Sequence, residues 1–440
     1  MPQEGLLWQS LLKLLARHEA PLDVVNALGK VLSHYQLALT ATPQLLTSGL
    51  NNINVLLFLG EAKSRSKTKP KPPALTISVS ELDFSREHIS HQELDCQLGL
   101  RWVLRCNLIK PLDARQNEVK AWRQAAAVNL APPLHWVSAD FQCYLSEYCP
   151  AVNAAAFGAG FADVDGLTSS TKWRSQLNTP TINAMGQGKA NKSKVNNGKS
   201  SKVKDDSRAN EDLCSGLASH QVKLLDSLLQ LSQISQLSPL SHLPQLSQSS
   251  SLSQSLAQSV PTNCAAARGN NLSHQIEQYL SALTALAPCS TWTSAQQQSF
   301  AGLARAFKDY GSDQSAQWRE LDQGFNWQQF SHRDLHPDNL LLQSDSVYVI
   351  DFEFSCDFHP LWDLTSIIAT CEFTDTEAFS FCQAYLARHP HFSGNEMVLI
   401  PAMLDCYWFT ASIWALNQAC DSCDAEFLDW SKCFWQLVSK

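Results

Sequence analysis

The segment from residue 331 to residue 353 constrains the fold most. It reads SHRDLHPDN, then the apolar run LLL, a four-residue polar turn and VYVIDFE. Two short apolar runs joined by such a turn predict a β-hairpin. Asp334 and Asn339 precede the first strand and Asp351 ends the second, so the hairpin is expected to bring two carboxylates and one amide to one edge of a sheet.

This set of side chains is suited to phosphoryl transfer. Magnesium takes oxygen ligands and binds proteins through one or two such groups together with substrate phosphates. Asn339 and Asp351 are the candidate Mg²⁺ ligands, and Asp334 is left as the catalytic residue that accepts a hydrogen bond from an attacking hydroxyl. The alternative is a hairpin whose acids only cap turns. The spacing H-x-D-L-x-x-x-N before an apolar strand that ends in Asp favours the site.

Composition limits the partners. A chain of 440 residues with 44% apolar residues can fill the cores of two lobes. The net charge of −8 argues against a nucleic-acid partner, because binding to phosphates needs excess Lys and Arg. The amphipathic N-terminus has no basic region followed by an apolar core, and no apolar run approaches the length of a bilayer span. We therefore expect no membrane partner and a cytoplasmic location.

The cysteines are scattered through the chain. Fourteen of them in a chain of this size predict buried small side chains in a reducing compartment, with no disulfide framework. Cys420 and Cys423 have C-x-x-C spacing. Two core cysteines on a helix are the favoured interpretation of this pair, and a zinc site is the alternative.

Apolar periodicity and turn signals predict a first lobe over residues 1–150. Its predicted elements are two helices over 8–38, strands at 53–59, 75–79 and 102–105, a helix at 113–127, and a strand within 144–150.

The composition changes after Pro150. Residues 151–270 are predicted to be a low-complexity, largely disordered insert, with a helix near 211–231. The globular pattern resumes at 271–440, the predicted catalytic and acceptor-binding lobe, with its first helices at 272–287 and 294–309.

The runs HRDLHPDNLL, IDFEFS and HPLWDLTSI resemble the aminoglycoside phosphotransferase, choline kinase and thiamine kinase superfamily. The resemblance implies an α+β, protein-kinase-like bilobal fold, with an antiparallel sheet plus a helix in the N-terminal lobe and a mostly helical C-terminal lobe. It implies ATP as the phosphate donor, Mg²⁺ as the metal and a small-molecule alcohol or amine as the acceptor. By the same resemblance Asp334 is the catalytic base, His332 and His336 orient its loop, and Asp363 braces that loop.

The resemblance extends in outline to the first lobe. The stretch LTSGLNNIN is similar to a phosphate-covering loop, which gives Ser48, Gly49, Asn51 and Asn52 as candidate nucleotide contacts. Arg105 falls at the position of the nucleotide-phosphate cation and Glu118 at that of its acidic partner. An ordinary surface salt bridge is the alternative for this pair.

The strand within 144–150 resembles the family's hinge strand, which gives Glu147 and Tyr148 as candidate adenine contacts.

At position 353 the chain has Glu where protein kinases have the Gly of D-F-G, and it carries no G-x-G-x-x-G loop. A small-molecule kinase is therefore favoured over a protein kinase.

The acceptor should contact the last lobe. Candidate pocket residues are Glu353, Trp362, Trp408 and Trp414, because aromatic faces and carboxylates bind cationic amines. A helical core contains the same residue types, and both interpretations stay open. A choline-, ethanolamine- or thiamine-like acceptor is favoured. An aminoglycoside or another amino alcohol is the alternative, as is a nucleotide-binding pseudokinase scaffold. The oligomeric state stays open.

Overall fold

The structure is a computed structural model and describes residues 3–18, 20, 23–48, 52–61, 100–107, 110–150, 156–157, 214, 216–234 and 271–438. The chain forms two compact units, Met1–Pro150 and Ala151–Lys440. The strand predicted at 75–79 and the polar stretch at 165–210 lie outside the described residues.

The first unit combines an antiparallel sheet with three helices. Its elements are α1 (Gln3–Arg17), α2 (Val24–His34), β1 (Leu37–Leu39), β2 (Gln44–Ser48), β3 (Asn52–Glu61), β4 (Leu100–Asn107), α3 (Leu112–Ala127), β5 (Leu134–Val137) and β6 (Cys143–Glu147). The strand order is β1-β3-β4-β6-β5, and β2 pairs with β3. Every neighbouring pair in this sheet is antiparallel.

The two faces of this sheet have different partners. Successive side chains of a strand point to opposite faces. Leu104 and Cys106 of β4 join the apolar core formed with Leu28 of α2 and the other buried residues of α1 and α2. Arg105, between them, points to the opposite face, where it meets Glu118 of α3. The alternation along β4 thus separates a dry core from a polar face.

The second unit is mostly helical. Its elements are α4 (Ser219–Ser232), α5 (Leu272–Ala285), α6 (Ser294–Gln323), β7 (Gln329–Ser331), β8 (Leu340–Leu342), β9 (Val347–Val349), β10 (Cys356–Phe358), α7 (Trp362–Thr370), α8 (Asp375–Arg388), α9 (Ile400–Ser422) and α10 (Ala425–Leu437). β7 pairs with β10 and β8 with β9, both antiparallel. The predicted α+β class and the predicted hairpin are confirmed.

Helix α6 is longer than predicted. The apolar pattern predicted an end near residue 309. Gly311 lies two residues further on, and glycine weakens a helix in isolation. In the structure α6 continues to Gln323. A Cβ at Gly311 would lie 2.6 Å from Leu280 Cδ1 of α5, so this glycine allows the two helices to approach closely. Packing between α5 and α6 offsets the low helix propensity of this glycine, and local periodicity contains no information about that packing.

Helix α4 belongs to the fold of the second unit, although the surrounding sequence is of low complexity. Leu225 and Leu231 are buried. The Ser227 hydroxyl accepts a hydrogen bond of 3.2 Å from the Val347 backbone N–H of β9. Arg388 of α8 pairs with Asp226 at 2.6 Å. The helix predicted near 211–231 therefore exists and supports the hairpin.

One disulfide joins Cys289, in the turn before α6, to Cys423, at the C-terminal end of α9, across a sequence separation of 134 residues. The interpretation of Cys423 as a reduced core thiol or a zinc ligand is therefore wrong. Cys423 is exposed and lies beyond the helix in a left-handed backbone conformation. Local C-x-x-C spacing gave no indication of so distant a partner.

Breaking this disulfide should destabilise the second unit. Replacement Cys423→Ser is expected to lower its free energy of unfolding by about 2–4 kcal/mol, because the unfolded chain regains the freedom that the cross-link removes. Denaturant unfolding under non-reducing conditions measures the loss, with Cys420→Ser as the matched control. A reductant should reproduce the effect in the wild type and have none in the variant. Equal stability of the two variants and the wild type would contradict the cross-link.

One stretch in the described part of the chain, Asn395–Ser422, is long and apolar enough to cross a membrane. Of its apolar window, 61% is buried inside the protein. Trp408 and Leu416 of α9 are among its buried residues. That degree of burial is typical of a core helix.

Stability of the second unit should fall in mild acid. Burial lowers the pKa of His359 to about 4, and its Nδ1 accepts a 3.3 Å hydrogen bond from the Leu361 N–H. Below the pKa of about 6.5 of an unfolded histidine, only the unfolded chain takes up the proton, so stability is lost as pH falls from 6.5 toward 4. We expect the free energy of unfolding to fall by roughly 1–2 kcal/mol between pH 7 and pH 5. Unfolding at both pH values, compared in His359→Asn and the exposed-site control His274→Asn, checks this. An unchanged pH dependence in His359→Asn would contradict it.

Candidate active site

The loop of residues 332–339 connects β7 to β8, and Asp363 at the start of α7 fixes its first turn. The Asp363 carboxylate accepts hydrogen bonds from the Ser331 hydroxyl at 2.8 Å and from the backbone N–H groups of His332 at 2.8 Å and Arg333 at 2.9 Å. Burial raises the pKa of Asp363, while His332 and these hydrogen bonds act in the opposite direction. Asp363 thus lies where loop bracing was predicted.

Arg333 has a left-handed backbone, with φ of 70°. Such a conformation costs a non-glycine residue about 1–3 kcal/mol and persists only where its surroundings enforce it. Its N–H is held by Asp363, and its carbonyl accepts a 3.2 Å hydrogen bond from Trp362 Nε1. Its guanidinium lies 4.5 Å from the centre of the Phe358 ring. These contacts on both sides set the direction in which the chain continues to Asp334.

His332 joins the loop to the strand that precedes Asp351. Its Nε2 lies 3.0 Å from the Ile350 carbonyl, and its Nδ1 accepts a 3.3 Å hydrogen bond from the Asp334 N–H. A carbonyl only accepts and an amide N–H only donates, so the ring is neutral with its proton on Nε2. Burial lowers the pKa of His332, against the opposing charges of Asp363, Asp334 and Asp351. The ring is a fixed spacer in the loop.

Asn339 ends the loop with its amide oriented by Asp334. The amide nitrogen donates to the Asp334 carbonyl at 2.9 Å and to the Asp334 carboxylate at 3.2 Å. The backbone carbonyl of Asn339 accepts a 3.1 Å hydrogen bond from the Ile350 N–H, which extends the β8–β9 ladder by one step. Asn339 therefore lies beside the residue that precedes Asp351.

His336 lies between the acids of the loop. Its Nε2 is 3.6 Å from the Asp334 carboxylate and its Nδ1 is 3.5 Å from that of Asp338. The Asn339 amide nitrogen lies 3.0 Å from the same Nε2. The ring thereby contacts both Asp334 and Asn339.

Asp351 follows β9 with φ of 67° and starts the 3-10 turn Phe352–Phe354. The turn leads into β10, which pairs with β7 directly before the loop, so the chain returns to where the loop began. The Asn339 amide oxygen and the Asp351 carboxylate fit Mg²⁺, which prefers oxygen ligands and needs only one or two from the protein. Within the described ranges no group of three or more His, Cys, Asp or Glu side chains could hold a metal.

The Glu118 carboxylate of α3 contacts four polar side chains on the face of the first unit's sheet that α3 covers. Arg105 Nη2 lies 3.2 Å and the Tyr144 hydroxyl 2.7 Å from Oε1. Lys110 Nζ lies 3.0 Å and Asn107 Nδ2 3.3 Å from Oε2. The carboxylate is buried, as is Arg105, so the interpretation of this pair as a surface salt bridge is wrong. Sequence reasoning missed Lys110 and Tyr144, since neither stands at a recognisable spacing from Glu118.

Two of the phosphate-loop candidates lie at strand ends in the described part of the first unit. Ser48 ends β2 and pairs through its backbone with Ile53, Asn52 begins β3 and is buried, and Gly49 and Asn51 lie outside the described residues.

The hinge candidates end β6. The Tyr148 N–H donates to the Arg101 carbonyl at 3.0 Å, and the Arg101 guanidinium lies over the Tyr148 ring. Glu147 is exposed, and its N–H donates to the Pro133 carbonyl at 3.0 Å.

The four pocket candidates of the second unit do not form one group. Trp408 is fully buried against Tyr407 and Phe434, so the prediction that it lines a pocket is wrong. Trp362 is also buried and holds the Arg333 carbonyl. These two match the core interpretation.

The other two candidates are accessible in part. Trp414 is half-buried and contacts Phe427 across the α9–α10 interface. Glu353 is half-buried two residues after Asp351, in the 3-10 turn. Glu353 is therefore the candidate that lies next to the proposed metal ligand in the chain.

Replacement Asp363→Asn should loosen the loop. An amide retains one oxygen but presents an N–H₂ group toward backbone donors, so at least one buried N–H loses its acceptor. Such a loss costs about 1–3 kcal/mol of the free energy of unfolding. Thermal unfolding measures it, with exposed Asp357→Asn as the control. A variant as stable as the control would show that Asp363 does not brace the loop.

The part of the chain that contains the loop and the hairpin matches a known protein family. Residues 265–393 match the model of the phosphotransferase enzyme family. Over this segment the chain is similar to that family. The resemblance noted in the loop and hairpin is confirmed over residues 265–393. The segment contains the loop, the hairpin, Asp351 and Asp363.

Among solved structures, an ethanolamine kinase from Plasmodium vivax is 14% identical, with 90% of this chain and 80% of that chain covered and a TM-score of 0.44. The choline kinase LicA from Streptococcus pneumoniae is 13% identical, with 93% and 96% covered and a TM-score of 0.43. A spectinomycin phosphotransferase in complex with ADP and spectinomycin is 10% identical, with 91% and 90% covered and a TM-score of 0.40. No curated protein matches the sequence.

Proposed function

We propose that this chain is an ATP- and Mg²⁺-dependent kinase of a small cationic alcohol or amine, choline-, ethanolamine- or thiamine-like. The observation that carries the proposal is the loop fixed by Asp363, in which Asp334 holds the Asn339 amide nitrogen and the Asn339 backbone carbonyl bonds to Ile350, the residue before Asp351. Two acids and one amide in this relation are what phosphoryl transfer needs from a protein.

In the proposed reaction Asp334 accepts the proton of the acceptor hydroxyl. The hydroxyl oxygen forms a bond to the γ-phosphorus, and the bond from that phosphorus to the β-γ bridging oxygen breaks, giving a phosphate ester and ADP. Asn339 and Asp351 hold the metal, which neutralises phosphate charge when bound. His332 and Asp363 keep the loop in place, and a neutral His332 adds no charge that would compete for the phosphates.

The first unit is proposed to bind the nucleotide. Arg105, oriented by Glu118, supplies a phosphate cation, with Ser48, Gly49, Asn51 and Asn52 as further phosphate contacts. The backbone carbonyls at Glu147 and Tyr148 are the proposed adenine contact, because the two N–H groups already donate to Pro133 and Arg101. Because ATP is supplied in the cytoplasm, we propose that the enzyme works there, without a nucleic-acid or membrane partner.

Glu353 is the proposed contact for the cationic group of the acceptor, since its carboxylate follows Asp351 by two residues and is partly accessible. Burial of Trp362 and Trp408 leaves the aromatic contribution to Trp414 among the four candidates. An aminoglycoside or another amino alcohol carries the same two features, a cation and a hydroxyl, and is the second acceptor class.

A substrate panel tests the proposal. The protein, ATP and Mg²⁺ are incubated with choline, ethanolamine, thiamine, other amino alcohols and an aminoglycoside, and products are identified by mass. We expect one of the first three to gain a single phosphate. Phosphorylation of an aminoglycoside alone would favour the second class, and nucleotide binding without any product would favour a pseudokinase scaffold.

A further inference from the structure

The buried carboxylate of Glu118 is shared by two cations that arrive from different elements. Arg105 reaches one oxygen from within β4 at 3.2 Å. Lys110 reaches the other oxygen at 3.0 Å from the loop between β4 and α3. Both positive groups therefore contact the same carboxylate, on the same face of the sheet. A polyphosphate has several anionic oxygens, so one such ligand can contact both groups.

The two cations differ in what they can do. An arginine on a strand presents a planar, fixed guanidinium, whereas a lysine ammonium is a compact charge on a flexible stem. The Lys110 side chain is only 9% exposed, although lysine is rarely buried without a partner. It starts in a loop, so its stem can turn the ammonium from Glu118 toward a phosphate without moving a strand.

We propose that Lys110 is a second phosphate-binding residue of the nucleotide site, held beside Arg105 by Glu118 and directed at the polyphosphate. This inference rests on the proposed function, because it takes Arg105 as a phosphate contact. Lys110 supplies a mobile positive charge, Arg105 a fixed one, and Glu118 keeps both from pointing elsewhere when no nucleotide is bound. The consequence is selectivity for the charge of the polyphosphate over the nucleoside.

A purely structural role for Lys110 predicts a different result for its replacement. If the ammonium only balanced Glu118, its removal would lower stability and weaken every nucleotide-site ligand alike. A phosphate contact is lost only for ligands that carry phosphates. Adenosine and ATP therefore separate the two roles, because they share the base and the sugar and differ in the polyphosphate.

The experiment measures binding of ATP and adenosine by calorimetry in the full chain, with thermal unfolding of each variant. Lys110→Met should weaken the affinity for ATP by about 10-fold or more, as expected for loss of one charge-assisted contact. The affinity for adenosine should not change. Lys110→Arg should restore most of the ATP affinity. Lys120→Met, at an exposed position on α3, is the matched control and should bind as the wild type does.

The outcomes also separate this inference from the proposed function. If Arg105→Met weakens ATP while Lys110→Met binds it as the wild type does, the role of Lys110 is overturned and the kinase proposal stands. Equal weakening of ATP and adenosine by Lys110→Met, with lower thermal stability, also overturns it in favour of a structural role. If the wild type binds no ATP, both proposals fail together.

Discussion

Replacement Asp334→Asn is expected to remove most turnover while the protein stays folded and still binds nucleotide. Proton acceptance by a positioned side chain contributes roughly 10²–10⁴-fold in rate, and asparagine cannot accept that proton. The backbone carbonyl of Asp334 is the nearer acceptor of the Asn339 amide, at 2.9 Å against 3.2 Å for the carboxylate. The amide should therefore keep its orientation in the variant.

The measurement is the turnover number at saturating ATP and acceptor, beside the ATP affinity and the thermal midpoint. Asp345→Asn, at an exposed position in the β8–β9 turn, is the matched control. Turnover of Asp334→Asn within a factor of about three of this control would remove Asp334 from the catalytic role. Loss of ATP affinity together with turnover would show that Asp334 acts in binding.

The hairpin and the loop before it could be predicted because their signals are local. Two apolar runs and one polar turn determine the return of the chain, and the loop residues stand within eight positions of one another. The prediction that Asp363 supports the loop came from resemblance. Its physical basis, three hydrogen bonds to residues about thirty positions earlier, depends on the placement of α7 and is invisible to periodicity.

Features set by tertiary contact could not be predicted. The continuation of α6 past Gly311 depends on its packing against α5, and no local pattern relates Cys289 to Cys423 across 134 residues. Lys110 lies in a loop with no repeating pattern, so only the position of Glu118 reveals its partner. For Trp408 the sequence offered pocket and core alike, and burial between α9 and α10 decided for the core.

The second large effect is expected at Asp351. Its carboxylate is the proposed anionic metal ligand, and Asn339 alone supplies only a neutral oxygen. Replacement Asp351→Ala should therefore abolish the contribution of Mg²⁺ to nucleotide binding and remove turnover. Because Asp351 has φ of 67°, alanine also adds a backbone cost of about 1 kcal/mol, which asparagine largely avoids. Asp351→Asn therefore separates loss of charge from strain.

The most direct test of the proposed metal–nucleotide site is the ATP affinity measured by calorimetry with and without Mg²⁺, in the wild type, Asp351→Asn and the control Asp345→Asn. We predict that Mg²⁺ strengthens ATP binding in the wild type and the control. In Asp351→Asn it should have little or no effect, while metal-free ATP binds with nearly wild-type affinity. Equal strengthening by Mg²⁺ in all three proteins would contradict the account, because Asp351 would then be a structural acid at the end of β9.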